Sequence, residues 1–257
     1  MTSTRGTLYL VPNTLDLGEA GVPADLADLL PRQVIDVAAR LEHWLCESAK
    51  TTRAFLKRVD AVVPLERPLQ QLSIVELPRP PKGRASAEHE PAARLLAPAL
   101  AGADIGLISE AGLPAVADPG ALVVAAAHSA GVRVVALPGA SSILLALAAS
   151  GLDGQSFAFV GYVPVPPAAR SQRIRELEAL SRRHRQTQLM IETPYRNAAL
   201  LDALLATLQP STLLSVSAGL TLARGFTRTA SIAHWRNTPS PPLPADLPTI
   251  FSLLAPA

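Results

Sequence analysis

The chain has 257 residues, of which 49% are hydrophobic and 17% charged, so it can build a large core, and global disorder is excluded. Its formal net charge is only +2, so nucleic-acid binding would have to come from a local basic patch. The single cysteine, Cys46, excludes an internal disulfide framework and fits a reducing cytoplasm. Apolar-rich stretches reach only about ten residues, so we expect neither a signal peptide nor a membrane span.

Strand and helix patterns alternate in the first half of the chain. Strands are predicted at 7–11, 70–77, 103–109 and 132–137. Helices are predicted at 31–45, 50–59, 92–100 (kinked or ended by Pro98) and 122–130. Loops are predicted at 13–21 and 77–90. This alternation is typical of a parallel sheet covered by helices.

The pattern restarts after residue 138. Strands are predicted at 157–163, 188–192, 213–217 and 249–254, and helices at 142–150, 170–185 and 197–208. A short helix is predicted to begin within 231–235, and proline-rich loops cover 163–168 and 239–248. The fold class is therefore α/β, with two α/β domains at 1–138 and 139–257 and a cleft between them.

Two strand–loop–helix corners in the first half have the composition of a ligand site. Residues 107–120 read LISEAGLPAVADPG, in which a strand ends in a small-residue loop that carries the carboxylate of Glu110. Residues 132–142 read VRVVALPGASS and lead into the next helix. Because open α/β sheets bind ligands at the carboxyl ends of their strands, we expect both corners to face one crevice.

These two corners, together with the segment IETPYRN at 191–197, resemble the tetrapyrrole methylase superfamily of S-adenosylmethionine-dependent methyltransferases. Within it, the chain is most similar to the branch of small-subunit ribosomal RNA ribose 2′-O-methyltransferases. The resemblance implies a tetrapyrrole methylase-like fold, a homodimer and a cofactor site in the cleft. No G-x-G-x-x-G is present to support a dinucleotide-binding Rossmann site.

The resemblance also implies which residues bind S-adenosylmethionine. The acidic loop after the strand contacts the cofactor, the Pro-Gly-x-Ser corner forms another wall, and the loop at 217–221 closes on the adenine side. The first loop, 12–15, borders the site where the acceptor enters. The candidate cofactor-binding residues are Pro12, Ser109, Glu110, Ala111, Gly112, Leu113, Gly139, Ser141, Ser142, Glu192, Ala218 and Gly219.

Each candidate also has a purely structural interpretation. Glu110 and the serines Ser141 and Ser142 could cap helices, Asp118-Pro119-Gly120 is typical of a turn, and Glu192 could serve packing alone. Six arginines between Arg170 and Arg185 could contact RNA phosphates, or they could form a solvated helix paired with Glu176 and Glu178. The five histidines lack metal-ligand spacing, so no metal is expected, and methyl transfer needs none.

The segments that border the acceptor in the family resemble this chain less closely than the segments that bind the cofactor. The turn at 13–18, the segment 46–52 and the segment 72–77 differ from those of the ribosomal RNA enzymes. The sequence therefore predicts a cytoplasmic methyltransferase with ribosomal or other RNA as the first acceptor. Two alternatives stay open: a tetrapyrrole or other small-molecule acceptor, and a relative that binds cofactor or RNA without catalysis.

Overall fold

Two five-stranded sheets organise the chain, one in each of two units, Met1–Ser141 and Ser142–Ala257. The structure is a computed structural model. It describes residues 5–15, 25–78, 89–238, 243 and 246–256, except the side chains of 89–91. The division between the units falls three residues after the boundary expected from sequence, at the point where the second corner becomes a helix.

The sheet of the first unit is parallel throughout. Its strands are β1 (Thr7–Val11), β2 (His43–Cys46), β3 (Ser73–Glu76), β4 (Ile105–Ile108) and β5 (Arg133–Ala136), in the order β3-β2-β4-β1-β5. Its helices are α1 (Leu26–Leu29), α2 (Arg32–Arg40), α3 (Ala49–Val62), α4 (His89–Arg94), α5 (Ala97–Leu100) and α6 (Ala121–Ser129). A 3-10 turn at Leu69–Gln71 precedes β3. The parallel sheet predicted from the strand–helix alternation is confirmed.

Apolar clusters cover both faces of this sheet, as a parallel sheet requires. One cluster joins the buried sides of α2 and α3 to Trp44, whose indole N–H donates to Leu41 O at 3.1 Å. The other joins Leu107 and its neighbours to α4, α5 and α6. Helix α3 begins at the N-cap Ser48, whose hydroxyl accepts from the Thr51 N–H, and α6 begins directly after Gly120.

The sheet of the second unit is mixed. Its strands are β6 (Phe157–Phe159), β7 (Thr187–Glu192), β8 (Leu213–Ala218), β9 (Phe226–Ser231) and β10 (Thr249–Leu254), in the order β6-β7-β10-β8-β9. Only β6 and β7 pair in parallel, and β10 lies antiparallel between β7 and β8. The helices are α7 (Ser142–Ser150), α8 (Pro167–His184), α9 (Asn197–Thr207) and α10 (Ile232–Asn237). A 3-10 turn at Pro194–Arg196 precedes α9.

Helices cover both faces of this sheet too. Helices α8, α9 and α10 pack on one face, where the indole N–H of the buried Trp235 donates to Leu214 O at 2.9 Å. Helix α7 packs through Ile143, Ala146 and Leu147 on Leu189 and Ile250. Leu200, Leu201 and Leu204 are buried along one side of α9.

Three predicted elements are wrong in their extent or type. The helix predicted over 31–45 ends at Arg40, and its last residues form β2 instead. The strand predicted over 70–77 begins as a 3-10 turn, and the strand over 157–163 stops at Phe159. The helix predicted over 92–100 is divided into α4 and α5, and Pro98 lies in the first turn of α5, so the interruption predicted near this proline is confirmed. The short helix α1 and the strand β9 were not predicted.

Three predicted loops reach beyond the part of the chain that the structure describes. They are the loops at 13–21, 77–90 and 239–248, of which 16–21, 79–88, 239–242 and 244–245 lie outside the described residues.

Candidate functional site

Four loops leave the carboxyl edge of the parallel sheet in the first unit. Pro12 follows β1, Glu47 follows β2, Ser109 follows β4 and Leu137 follows β5. Because carboxyl ends of parallel strands share one edge, these loops start close together. Glu47 and Ser109 lie one strand apart, since Cys46 pairs with Ile108. The two corners identified from sequence are therefore neighbours at this edge.

Asn13 fastens the loop after β1 to the loop after β4. Its backbone N–H donates to Gly112 O at 2.9 Å, and the Gly112 N–H donates back to Asn13 O at 3.2 Å. Its side-chain amide donates to Ser109 O at 3.2 Å and to Glu110 O at 2.9 Å. Asn13 is buried, and Gly112 has a φ of 71°, which favours glycine. Ser109, Glu110, Ala111, Gly112 and Leu113 are thereby held beside Pro12.

The loop after β5 reaches the same place through a close backbone approach at Gly139. A Cβ built on Gly139 would lie 2.3 Å from Pro12 Cβ and 2.4 Å from Pro12 Cγ. A Cβ on Gly112 would lie 3.5 Å from Ala140 O. Ser141 is buried and directly precedes α7, the position expected of an N-cap residue. All eight candidates of the first unit therefore belong to one group of three joined loops.

Three carboxyl groups lie together at this edge: Glu47, Glu110 and Asp118. The Glu110 backbone N–H donates to Glu47 Oε1 at 3.2 Å. Burial raises the pKa of Glu47, and the charge of Glu110 raises it further, while the Glu110 N–H and Ser109 act to lower it. Burial, followed by the charges of Glu47 and Glu110, raises the pKa of Asp118 to about 6, and Ser109 again acts to lower it.

This cluster revises two interpretations made from sequence. Glu110 lies eleven positions before Ala121, the first residue of α6, so it does not cap that helix. Asp118-Pro119-Gly120 does form a turn that leads into α6, as expected. However, Asp118 is also a member of the carboxyl cluster, which the turn motif alone does not indicate.

Three candidates of the second unit lie at neighbouring strand ends of its sheet. Thr249 of β10 pairs with Glu192 on one side and with Ala218 on the other. The Gly219 N–H donates to Pro248 O at 3.1 Å, which extends the pairing of β8 with β10 by one residue. Ser142, the remaining candidate, is the first residue of α7. The structure thus brings Glu192, Ala218 and Gly219 to one edge.

Glu192 is tightly bound within its own unit. Its Oε1 accepts from the guanidinium of Arg196 at 2.6 Å and 2.8 Å and from the Thr193 N–H at 2.7 Å. Its side chain is 3% exposed, so this ion pair fixes the turn between β7 and α9. Nearby, the Asn197 amide donates to Leu247 O and to Thr249 Oγ1, both at 2.9 Å. These contacts favour the packing interpretation of Glu192.

Comparison with known proteins identifies the family. A family model described as "Tetrapyrrole (Corrin/Porphyrin) Methylases" matches residues 20–233. The chain belongs to this family. The resemblance seen in the two corners and in the segment 191–197 is thus confirmed.

Two relatives with assigned functions are at least 30% identical to this chain. Ribosomal RNA small subunit methyltransferase I of Xylella fastidiosa is 34% identical over 176 residues, 68% of this chain and 55% of that protein. The protein of the same name from Synechocystis sp. is 30% identical over 233 residues, 91% of this chain and 71% of that protein. The chain thus spans little more than half the length of the Xylella relative.

A solved structure supports the tetrapyrrole methylase fold over nearly the whole chain. The putative cobalamin synthesis related protein CobF from Corynebacterium diphtheriae superposes with a TM-score of 0.56. The match covers 98% of this chain and 100% of that one at 13% identity, a similarity that shows the fold alone. The predicted fold class, two α/β units with this architecture, is confirmed.

The basic helix α8 uses part of its charge within the unit. The Arg170 guanidinium donates to Ala199 O and Val165 O, and Arg173 pairs with Glu176 at 3.2 Å. Glu178 is buried and accepts from the Gln209 N–H at 2.9 Å and the Thr212 hydroxyl at 2.5 Å. The interpretation of Glu178 as a solvated partner of arginines is therefore wrong. Among the six arginines at 170–185, Arg175, Arg182, Arg183 and Arg185 are exposed.

The described residues contain neither a membrane-spanning helix nor a metal-binding cluster. None of the helices within 5–15, 25–78, 89–238 and 246–256 is long and apolar enough to cross a membrane. Over those same ranges, no group of three His, Cys, Asp or Glu residues has the arrangement of a metal site. Cys46 is buried, and burial raises the pKa of its thiol, as in an unreactive packed cysteine.

Proposed function

We propose that this chain is an S-adenosylmethionine-dependent methyltransferase that acts on ribosomal RNA of the small subunit, at a ribose 2′-hydroxyl. The similarity to two relatives named ribosomal RNA small subunit methyltransferase I, over 68% and 91% of this chain, carries the proposal. The family match over residues 20–233 supports methylation as the reaction class.

The residues at the carboxyl edge of the first unit suit this cofactor. S-Adenosylmethionine supplies a methyl group already activated on a positively charged sulfur, so the protein mainly has to bind, align and exclude water. Three carboxyl groups without a cationic partner among the described residues favour a positively charged ligand. Ser109 is buried at the same edge, and its hydroxyl favours the charged forms of Glu47 and Asp118.

The chain's own residues perform three tasks in this proposal. Asn13 holds the loop after β4 in place, so Glu110 presents its carboxylate at a fixed position. Gly139 allows the loop after β5 to close against Pro12, where any larger residue would push it away. Glu47 and Asp118 add negative charge at the same edge.

We propose the cofactor-binding set as a whole on this basis. In the first unit it comprises Pro12, Ser109, Glu110, Ala111, Gly112, Leu113, Gly139 and Ser141. In the second unit it comprises Ser142, Glu192, Ala218 and Gly219, of which Glu192 positions its neighbours through Arg196 rather than through a free carboxylate.

The exposed arginines of α8 are the proposed RNA contacts. Arg175, Arg182 and Arg183 are exposed, and none of them forms an ion pair with another described residue. Each phosphate contact would add to the salt dependence of RNA binding. We also propose that the protein acts as a homodimer in the cytoplasm, as the family resemblance implies. Light scattering of the purified chain tests the dimer.

The first test is thermal unfolding with and without S-adenosylmethionine and S-adenosylhomocysteine. A ligand at 100 times its Kd adds about 2.7 kcal/mol of stability, or on the order of 5–10 °C at this chain length. We expect this shift with both ligands and none with NAD or ATP. Glu110→Gln should reduce the shift, whereas Glu42→Gln, which changes an exposed pair with Arg67, should not.

The second test is transfer of a labelled methyl group to isolated small ribosomal subunits. Label in the ribosomal RNA supports the proposed acceptor. A labelled dinucleotide that survives alkaline hydrolysis identifies a ribose 2′-hydroxyl, because a methylated 2′-oxygen cannot attack the neighbouring phosphodiester. Cofactor binding without transfer to RNA would overturn the RNA acceptor. Label in a tetrapyrrole instead would assign the small-molecule alternative.

A further inference from the structure

Two of the three tyrosines of the chain lie exposed where the parallel strands β6 and β7 end. Tyr162 follows β6 and is 56% exposed, and Tyr195 follows β7 and is 78% exposed. Val165, three residues after Tyr162, is 57% exposed. Neither ring belongs to an apolar cluster of the described residues. Large rings that are left in solvent and add nothing to a core indicate a binding surface.

Hydrogen bonds join the two segments that carry these tyrosines. The Ile191 N–H donates to Gly161 O at 3.1 Å, which continues the parallel pairing of β6 and β7. Further along, the Arg170 guanidinium donates to Val165 O at 3.2 Å and to Ala199 O at 3.1 Å. Arg170 thereby ties the segment after β6 to the first turn of α9. The two tyrosine-bearing segments therefore lie beside each other.

The surroundings of both rings are fixed before any partner binds. The Arg196 guanidinium lies 5.6 Å from the centre of the Tyr195 ring, and the same guanidinium pairs with the buried Glu192 at 2.6 Å. Next to Tyr162, the side chain of Val163 is buried in the core and anchors the segment. Rings presented by a fixed backbone lose little conformational freedom on binding, which favours affinity.

The charge of this surface favours a polyanion as its partner. Residues 160–171 and 193–201 contain two arginines, Arg170 and Arg196, and no Asp or Glu. The adjoining carboxylate, Glu192, is buried and already paired with Arg196. A second copy of the same surface would bring like charges together across a two-fold axis, which disfavours a dimer contact here. Exposed tyrosines together with arginines suit the flat bases and the phosphates of RNA.

Helix α8 connects this surface to the phosphate contacts proposed above. It begins at Pro167, directly after the segment that carries Tyr162, and its 18 residues are about 27 Å long. The exposed Arg175, Arg182 and Arg183 lie along it. The tyrosines and the exposed arginines are therefore parts of one continuous stretch of surface chemistry that suits a single nucleic-acid strand.

We propose that Tyr162, Tyr195 and Arg196 form a tyrosine platform on which unpaired bases of the substrate RNA stack. The inference rests on the proposed function, in which RNA is the acceptor, and deepens it by naming single-stranded RNA as the form that binds. Every base has a flat face, so the platform accepts different sequences. The arginines of α8 contact phosphates and set the salt dependence, while the tyrosine platform distinguishes RNA bases from a bare backbone.

Fluorescence anisotropy with two RNA probes measures what the platform contributes. One probe is a labelled single-stranded RNA of about 12 nucleotides, a length within the range of single-strand binding sites. The other has the same length and charge, but its central nucleotides lack bases. The native full chain should bind the complete RNA at least about fivefold more tightly than the abasic probe, because stacking of a single base contributes at least that factor.

Substitutions at the platform should remove this preference. Tyr162→Ala and Tyr195→Ala should each weaken binding of the complete RNA about fivefold and leave binding of the abasic probe unchanged. Tyr195→Phe keeps the ring and should stay within about twofold of the native affinity. The slope of log affinity against log salt concentration should stay native in Tyr195→Ala, because no phosphate contact is lost.

Phe157→Ala is the matched control for the loss of an exposed ring. Phe157 is 39% exposed and is the first residue of β6, at the other end of that strand from Tyr162. Its replacement should leave the affinity for both probes unchanged. Melting temperatures of all variants show whether they are folded.

Two results would overturn the platform. One is an equal affinity of the native chain for the complete and the abasic RNA. The other is a native affinity for the complete RNA in both folded variants, Tyr162→Ala and Tyr195→Ala. If these variants instead turn a dimer into a monomer in light scattering and bind RNA normally, the surface contacts a second copy of the chain.

Methyl transfer to isolated small ribosomal subunits separates this inference from the proposed function. Transfer by the native chain, together with unchanged RNA affinity in the tyrosine variants, overturns the platform and leaves the proposed function standing. Base-dependent RNA binding that the tyrosine variants lose, without any methyl transfer, supports the platform and overturns the proposed reaction. If the native chain neither binds the RNA probes nor transfers methyl groups, both fail.

Discussion

Gly139→Ala tests whether the loops after β1 and β5 meet as the structure shows. The added Cβ would lie 2.3 Å from Pro12 Cβ and 2.4 Å from Pro12 Cγ, whereas carbon atoms pack best at about 3.5–4.0 Å. One of the two loops must therefore move by more than about 1 Å. The proline ring cannot rotate out of the way, because it is closed onto its own backbone.

The magnitude follows from this overlap. Inserting a methyl group into a packed site costs about 1–3 kcal/mol, and Gly139 has no positive φ that would add a conformational cost. For a chain of this length, that loss lowers Tm by about 3–9 °C. Because the displaced loops carry proposed cofactor contacts, the affinity for S-adenosylmethionine should fall by about tenfold or more.

Differential scanning calorimetry and ligand titration of purified variants measure the two effects. Gly154→Ala is the matched control, since a Cβ at Gly154 meets nothing within 4 Å. It should change stability by less than about 0.5 kcal/mol. A Gly139→Ala protein that keeps both the native Tm and the native affinity would show that Pro12 and Gly139 do not approach each other.

Three further predictions concern charged groups. Arg196→Ala should lower the free energy of unfolding in urea by about 3 kcal/mol, because it leaves the Glu192 carboxylate, which is 3% exposed, without its cation. Arg173→Ala removes the exposed pair with Glu176 and should lower it by less than about 1 kcal/mol. The folded-state pKa of Asp118 is raised from 3.8 to about 6, so the contribution of Asp118 to the free energy of unfolding should be largest below pH 3.8 and be lost as pH rises through 6. Solvent screening at this half-buried site reduces the expected loss of unfolding free energy to about 1 kcal/mol. If the urea midpoint of Asp118→Asn falls between pH 5 and pH 8 by as much as that of the native chain, Asp118 is not the titrating group. Replacing both Arg182 and Arg183 by Gln should weaken RNA binding. It should also reduce the slope of log affinity against log salt concentration by about 1 for each lost phosphate contact. An unchanged slope would show that α8 does not contact the RNA.

The sequence predicted most strands of both sheets, because buried strands appear as short apolar runs bounded by turn residues. β2 was the instructive failure. Val34, Val37, Ala38, Leu41 and Leu45 fit a single helical stripe, yet the helix ends at Arg40 and Trp44–Cys46 are buried as a central strand. Strand pairing with β4 overrode a helical periodicity that continued by chance.

This one error also hid part of the candidate site. With 31–45 taken as a helix, Glu47 followed a helix rather than a strand, so nothing marked it as a strand-end residue. The structure places it after β2, one strand from Ser109 and beside Glu110. Glu110 was found from sequence because the apolar run before it is a short, unmistakable strand.

β9 could not be recognised from the sequence for a different reason. Its residues, FTRTAS, contain little apolar content, and it is an edge strand paired only with β8. Partly exposed edge strands lack the hydrophobic signal that marks a central strand. The antiparallel pairing of β10 is likewise a property of the tertiary fold that the strand pattern alone does not encode.

The position of β10 has a consequence for synthesis of the chain. All five strands of the first sheet lie before residue 137, so the first unit can fold outside the ribosome while translation continues. The second sheet has its central position filled by residues 249–254, between β7 and β8. Until those residues are synthesised and leave the exit tunnel, β7 and β8 each expose an unpaired edge, which is a template for aggregation.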